Sequence, residues 1–335
     1  MPGIRTEITE IVTGLGTLGY DSALEAIAAR PAELVPLAPA GWERLAGAVT
    51  DARYGREVAD AWANGQAFLH AVDGLRRRPP RIVEWKGPQH PPGYDFLPAD
   101  LRIDHVFLVS CKYVSKVLAN PSPSHLFERA LAVRGRRSEV DWFERSAPAA
   151  YRRFYGRVRA ELAAEVALPE QPGELAPADR VELQRLCART WPGGLQRDYA
   201  EFSAEVSARS AARWAQAAPS LADRELLLWR LLRFNAAPYF LLGSSVAGPL
   251  RLRVATPWDW RQRYELAEFA IAAEAAAQPR VAWSAAVVDR LAAQTVEVRG
   301  HVEIRWSHGR FCGHPEAKVY LDTPHEQVPG YFPLS

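Results

Sequence analysis

Lysine is scarce in this chain, and its few lysines are the first candidates for chemistry. Of the 41 lysine and arginine residues only four are lysine, and the rest are arginine. A lysine ammonium is compact and has a pKa that its surroundings shift readily, whereas arginine stays charged. Three lysines stand third in a tripeptide that begins with an oxygen-bearing residue: Glu84-Trp85-Lys86, Ser110-Cys111-Lys112 and Glu316-Ala317-Lys318. The alternative interpretation is that these lysines lie on solvated strand faces by chance and have no catalytic role.

The elements around the first two tripeptides follow a definite order. Apolar residues recur near the helical period from about 55 to 75, which predicts an amphipathic helix. Strand-like runs follow, and the Asp104-His105 joint between the last two predicts an antiparallel hairpin. A helix-start pattern of Asn, Ser and Pro comes next. These runs lie at 81–85, 101–103 and 106–113, and the helix start at 120–124.

The most informative pattern is the segment Pro98–Lys112, PADLRIDHVFLVSCK, which resembles the signature of the PD-(D/E)XK nuclease superfamily. In that superfamily an aspartate opens the second core strand, and an acidic residue, any residue and a lysine lie on the third. The order of elements over about 55–135 also resembles the family core. The resemblance implies an α/β (α+β) protein with a restriction-endonuclease-like αβββα core, and the patterns beyond it predict a helical middle region and a mixed α/β C-terminal domain. The domains expected are 1–140, 141–245 and 246–335.

The resemblance implies a catalytic site that uses a divalent cation, Mg²⁺ or Mn²⁺. Asp100 is then the first metal ligand and Lys112 the group that positions the attacking water. Ser110 stands where the family has Asp or Glu, and a serine hydroxyl is a poor ligand for Mg²⁺. A second carboxylate must therefore come from elsewhere. Glu84 on the preceding strand is the first choice, and Glu57 on the amphipathic helix is the second.

Asp104 competes with Asp100 for the role of first ligand. If residues 101–113 formed one continuous strand, Asp104 would share a face with Ser110 and Lys112. A hairpin of short strands instead returns Asp100 beside Lys112, and short strands are commoner than one of thirteen residues. The hairpin interpretation is therefore preferred. Aspartate is also a frequent turn residue, which is the alternative for both positions.

Basic residues beyond the motif indicate contacts with DNA. Lys116 follows the motif strand, where it contacts a phosphate or is only solvated. Arginine is dense from Arg129 to Arg159 and is interleaved with aromatic residues, a composition that suits the phosphate backbone. The alternative is a solvated helix whose arginines pair with nearby acidic residues.

The C-terminal third offers weaker candidates. The run His308–His314 contains histidine and cysteine ligands, but they are too close together for a usual structural zinc site. Glu316 and Lys318 are a competing acidic-x-Lys pair, yet no aspartate precedes them on a suitable partner strand. Strands are expected at 250–255, 295–306 and 317–321, with an alanine-rich helix at about 260–277. This region is expected to recognise substrate or a partner, or to extend a sheet.

Composition narrows the class of protein. A hydrophobic content of 48% with 11 tryptophans supports a buried core, and a net charge of +2 means that any DNA surface comes from local clustering. Three widely spaced cysteines suit a reducing cytoplasm. Charged residues near the N-terminus argue against a signal peptide, and the apolar stretch Leu226–Leu242 is interrupted by charge and proline. That stretch is therefore expected to be a buried helix, with no membrane partner.

Together these features predict a divalent-metal-dependent DNA endonuclease of the cytoplasm, and the family resemblance implies the kind found in restriction and phage defence. Its partners would be DNA and other subunits of a defence system. A first alternative is a catalytically degenerate nuclease fold that acts as a DNA-binding or scaffold subunit, which Ser110 motivates. A second alternative is an unrelated binding or structural protein in which the lysine placement is coincidental.

Overall fold

The chain folds into two units, each assembled from segments that are distant in sequence. The computed structural model describes residues 3–87, 99–113, 117–129, 141–245 and 248–335. Neither unit coincides with one of the three consecutive domains expected from the sequence. The first unit comprises Met1–Lys116, Arg233–Tyr264 and Pro324–Ser335, and the second comprises Val117–Leu232 and Glu265–Thr323.

Helices and strands alternate irregularly along the chain. The α-helices are α1 (Ile4–Leu15), α2 (Ala23–Ala29), α3 (Pro39–Val49), α4 (Gly55–His70), α5 (Pro123–Phe127), α6 (Trp142–Ser146), α7 (Pro148–Glu161), α8 (Pro177–Leu186), α9 (Gln196–Ala217), α10 (Leu221–Leu231) and α11 (Pro257–Arg263). The strands are β1 (Leu34–Val35), β2 (Val83–Trp85), β3 (Leu101–Ile103), β4 (Phe107–Tyr113), β5 (Val117–Ala119), β6 (Tyr239–Ser245), β7 (Gly248–Val254), β8 (Tyr264–Glu274), β9 (Arg280–Asp289), β10 (Gln294–Trp306), β11 (Pro315–Leu321) and β12 (Tyr331–Pro333).

The first unit contains a mixed sheet with the strand order β1-β2-β3-β4-β6-β7-β12. Strands β2, β3 and β4 form an antiparallel meander, and β6 then pairs with β4 in parallel. The predicted hairpin between β3 and β4 is confirmed, with Leu101 opposite Val109. Asp104 and His105 both adopt positive φ, of 49° and 59°, and so make the tight reversal. The amphipathic helix expected at 55–75 is α4.

Helices α1 and α4 cover one face of this sheet, and alternation along the strands decides which side chains they bury. Val83, Trp85, Leu101, Ile103 and Val109 all belong to the core beneath these helices. The intervening residues, among them Ser110 and Lys112, project from the opposite face. Cys111 packs against the helix-covered core, as its parity with Val109 predicts. The core thus fixes the direction of the polar side chains.

The second unit contains an antiparallel sheet with the strand order β5-β11-β10-β9-β8, together with helices α5 to α10. Buried and half-buried side chains alternate along the whole of β9 and over residues 302–306 of β10, which is the pattern of a sheet with one covered face. The expectation of a largely helical middle region is met by α6 to α10. The coarse expectation of a mixed α/β protein is also confirmed.

Two local predictions were wrong. The alanine-rich helix expected at about 260–277 is short: α11 ends at Arg263 and β8 begins at Tyr264. Alanine favours a helix locally, but Tyr264 and Leu266 are buried on one side of β8, and pairing with β9 overrides the propensity. The apolar stretch 226–242 is not one helix either, because α10 ends at Leu231 and Arg233 adopts a φ of 63° before β6.

Within the described ranges, no helix is both long enough and apolar enough to span a membrane.

Candidate active site

The β3–β4 hairpin brings Asp100, Ser110 and Lys112 together. Asp100 directly precedes β3, so the register places it opposite Ser110 on β4. The Ser110 hydroxyl donates to Asp100 Oδ2 at 3.0 Å, and the N–H of Cys111 donates to the same oxygen at 2.7 Å. Lys112 lies two residues beyond Ser110 and shares its face of the strand. The charge of Asp100 also acts on the Lys112 ammonium, so these three predicted site residues are neighbours.

The Lys112 ammonium lies in a low-dielectric environment. Burial lowers the pKa of Lys112, and the nearby guanidinium of Arg233 lowers it further. The carboxylates of Asp100 and Glu10 act in the opposite direction and favour the charged form. Burial and negative charge therefore act on the Lys112 ammonium in opposite directions, and the net effect is a lowered pKa.

Helix α1 contributes a carboxyl group that the sequence interpretation did not include. Glu10 accepts a hydrogen bond from Trp85 Nε1 at 2.7 Å. Burial and then the charge of Asp100 raise the pKa of Glu10 to about 8, while the Trp85 hydrogen bond and the Lys112 charge oppose this rise. The available sequence signal was weak, because α1 carries two acidic residues, Glu7 and Glu10, beside buried positions such as Ile8 and Ile11.

Glu84, the predicted second metal ligand, lies among cationic side chains. Only 4% of Glu84 is exposed. The Arg102 guanidinium donates two hydrogen bonds to the Glu84 carboxylate, of 2.5 Å from Nε and 2.6 Å from Nη2. His105 Nδ1 lies 2.9 Å from the same carboxylate. These contacts give Glu84 a clear structural role, and its role as a metal ligand stays a prediction.

The two alternative carboxylates occupy other positions in the first unit. Asp104 Oδ1 accepts the backbone N–H groups of Arg81, at 2.7 Å, and Ile82, at 3.2 Å, so it ties the hairpin turn to the strand beside it. Glu57 on α4 forms an ion pair with Arg5 at 3.4 Å. Both sets of contacts are those of structural residues. The preference for Asp100 over Asp104 as the first metal ligand stays a prediction.

Further polar groups adjoin the Asp100 side of the hairpin. Tyr239, on β6, is fully buried next to Ser110, and burial raises the pKa of its hydroxyl. Arg233 and Ser110 hydrogen-bond to that hydroxyl and oppose the rise, while the charge of Asp100 adds to it. Burial lowers the pKa of His325, and the charge of Lys112 contributes to that lowering. The site therefore combines two carboxyl groups with several donors.

The donor set bears on metal binding. No group of three or more His, Cys, Asp or Glu side chains suited to a metal ion occurs within the described ranges. Asp100 and Glu10 nevertheless supply two carboxyl groups that repel each other electrostatically. Mg²⁺ is commonly held by one or two carboxylates together with water and phosphate oxygens. Two carboxylates beside an ammonium therefore suit Mg²⁺ better than they suit a structural zinc ion.

The remaining candidates lie elsewhere or outside the described ranges. Lys318 forms an ion pair with Glu316 at 3.3 Å, and Arg305 approaches the same carboxylate at 3.5 Å, so this acidic-x-Lys pair is part of a cross-strand charge network. Lys116 and the arginines at 134, 136 and 137 are outside the residues that the structure describes. Their predicted contacts with DNA remain predictions.

Comparison of the chain with family models, with curated proteins and with solved structures found no match. The geometry of the hairpin and of α1 is therefore the basis for a functional assignment.

Proposed function

We propose that the first unit is a divalent-metal-dependent nuclease site that hydrolyses DNA phosphodiester bonds. The observation that carries the proposal is the convergence of Asp100 and Lys112 on the β3–β4 hairpin, with Glu10 of α1 coupled to both by charge. Two carboxyl groups and an ammonium that act on one another's pKa values at a partly desolvated position are costly to keep for a purely structural role. Such groups are characteristic of functional sites.

The arrangement of elements supports assignment to the PD-(D/E)XK superfamily. Helix α4 precedes the β2-β3-β4 meander, as in the helix-strand-strand-strand part of the family core. Asp100 opens the second strand of this meander, and Lys112 lies on the third. The helix that follows in sequence, α5, belongs to the second unit and has only five residues. The proposed resemblance is therefore strongest from α4 to β4.

The donor set fits a cation such as Mg²⁺ or Mn²⁺. Burial and the charge of Asp100 hold Glu10 in its protonated form near neutral pH, because a second negative charge there is costly. A divalent cation between the two groups would remove that cost. Asp100 and Glu10 are the residues proposed to hold it, and Glu10 then takes the part first considered for Glu84 and Glu57.

Each residue of the proposed site has a defined part in the proposed reaction. A bound Mg²⁺ would lower the pKa of a water molecule and offset negative charge on the phosphate. Lys112 would orient the attacking water by donating a hydrogen bond, and its charge would stabilise the negative charge that grows at phosphorus. The Ser110 hydroxyl and the Cys111 N–H hold one oxygen of Asp100 and fix the orientation of that carboxylate.

The biological setting is part of the proposal and follows from the family resemblance alone. Restriction or phage defence in the cytoplasm, with other subunits of a defence system, is the setting in which such nucleases are found. Substrate choice is expected to be DNA.

A cleavage assay with matched lysine variants tests the activity. Plasmid and linear DNA are incubated with Mg²⁺, Mn²⁺ or EDTA, and cleavage is expected with either metal and not with EDTA. Lys112→Ala and Asp100→Asn are each expected to lower the rate by about a hundredfold or more. Lys318→Ala is the matched control, because Lys318 lies in the second unit and pairs with Glu316. Full activity of Lys112→Ala, or cleavage in EDTA, would refute the proposed site.

A catalytically degenerate fold that binds DNA is the second candidate, and the serine at position 110 favours it. The hydroxyl of Ser110 supplies no negative charge where the family has a carboxylate. Binding of DNA by the parent and by Lys112→Ala without cleavage by either protein would establish this alternative. Loss of cleavage with retained binding in Lys112→Ala would exclude it.

A further inference from the structure

The second unit contains an arginine-lined cleft that has no part in the site proposed above. Its volume is about 810 Å³, which is in the range of pockets that hold small ligands. The walls come from the end of α6, the start of α7 and the C-terminal half of α9. Four arginines line it, together with the acidic Glu205: Arg145, Arg153, Arg209 and Arg213.

The cleft carries more positive than negative charge. Arg145 and Arg213 share one carboxylate, Glu128, to which Arg145 Nε donates two hydrogen bonds of 2.9 Å. Arg209 pairs with Glu205 at 2.8 Å. Arg153 is exposed and has no ion-pair partner among the residues described. Four guanidinium groups against two carboxylates leave two positive charges in excess, which matches the charge of a phosphate monoester dianion.

Part of the cleft wall is held rigidly. The Arg213 guanidinium lies 5.5 Å from the centre of the Trp142 ring and donates to the carbonyl of Arg145 at 3.1 Å. Trp142 is itself buried and donates to Ser210 Oγ at 3.0 Å. An arginine fixed in this way loses little conformational entropy when it binds a ligand. The wall is therefore preorganised, whereas Arg153 and Arg209 remain exposed at the opening.

We propose that this cleft binds a phosphate group, carried either by the end of a nucleic-acid strand or by a free nucleotide. Arginine forks donate paired hydrogen bonds to phosphate oxygens, and several of them around one cavity favour phosphate over a singly charged carboxylate. The excess of two positive charges and the open shape of the cleft complete the match. This inference concerns the second unit and holds whether or not the first unit cleaves DNA.

Fluorescence anisotropy in EDTA tests the proposal, because EDTA prevents metal-dependent cleavage. The probe is a short single-stranded DNA labelled at its 3′ end, with or without a 5′-phosphate. The double variant Arg153→Ala/Arg209→Ala is expected to weaken binding of the phosphorylated probe by about tenfold or more. Arg197→Ala is the matched control, because Arg197 is an exposed residue of α9 that pairs with Glu201 outside the cleft.

Competition identifies the source of the phosphate. If the strand with a 5′-phosphate binds more tightly than the strand without it, the cleft binds a strand end. If both strands bind equally and a nucleoside monophosphate displaces them, the cleft binds a free nucleotide. Circular dichroism and thermal unfolding check that the variants are folded. If the double variant does not fold, the binding measurement is repeated with the single variant Arg153→Gln. Equal affinities for the parent, the cleft variant and Arg197→Ala would overturn the proposal, as would no binding of any phosphorylated probe at low salt.

Discussion

Replacing Glu10 with glutamine should remove a pH-dependent loss of stability in the metal-free protein. Burial and the charge of Asp100 raise the pKa of Glu10 from 4.5 to about 8 in the folded state. The folded protein therefore holds the proton more tightly than the unfolded chain does. The favourable contribution of this group is complete below pH 4.5 and is lost as the pH rises to about 8.

The size of this effect follows from the shift. Each pH unit inside the window corresponds to about 1.36 kcal/mol at most. Glu10 is half-buried, so solvent screens part of the interaction, and we expect about 2–3 kcal/mol over the whole window. Glutamine keeps an oxygen that accepts the Trp85 Nε1 hydrogen bond and carries no charge at any pH. The variant should therefore be the more stable protein above about pH 8 and similar to the parent near about pH 5.

Urea unfolding across this pH range in EDTA measures the difference. Glu33→Gln is the matched control, because Glu33 is an exposed glutamate of the same unit. It should leave the pH dependence of the parent unchanged. Adding Mg²⁺ at alkaline pH should stabilise the parent, by about 2.7 kcal/mol at a hundred times its dissociation constant, and should stabilise Glu10→Gln much less. Parallel pH curves for the parent and Glu10→Gln would refute the raised pKa of Glu10.

Three further substitutions test how the strands around the site are held. Asn64→Leu should cost about 2–4 kcal/mol of unfolding free energy, because Asn64 is buried and donates to the Gly243 carbonyl at 2.9 Å; chemical denaturation measures the loss. Gly243→Ala should destabilise the protein by about 3 kcal/mol or more and abolish cleavage, since its Cβ would collide with the Lys112 carbonyl; thermal unfolding and the DNA assay report both effects. Glu84→Gln should cost about 1–3 kcal/mol by breaking the Arg102 pair, yet leave Mg²⁺-induced stabilisation intact; loss of that stabilisation would restore Glu84 as a metal ligand.

The hairpin could be predicted from the sequence because its determinants are local. Strand residues flank Asp104-His105, and two residues in the left-handed region reverse the chain between them. Once the reversal is known, period-two alternation sets Ser110 and Lys112 on one face, and the register returns Asp100 to the same place. The prediction at 260–277 failed because composition and strand pairing disagree there. The alanines of β8 favour a helix, and pairing with the next strand, β9, decides otherwise.

Glu10 could not be predicted in the same way, because its position depends on how α1 packs against a sheet that forms later in the chain. Local patterns do not tell which strand the polar edge of a helix will meet. Charge balance provides a reason for the arrangement. A divalent cation needs negative charge close to the phosphate, and a serine at position 110 supplies none. In the proposed site the missing charge comes from Glu10, so the total is two carboxylates and one ammonium although one carboxylate comes from a helix rather than from β4. Replacing Ser110 with aspartate should add a third carboxyl group to the parent protein and lower its rate of DNA cleavage. In the Glu10→Gln background the same replacement brings the number of carboxyl groups back to two, so it should lower the cleavage rate less. Comparison of the two backgrounds therefore shows whether positions 10 and 110 supply the same charge.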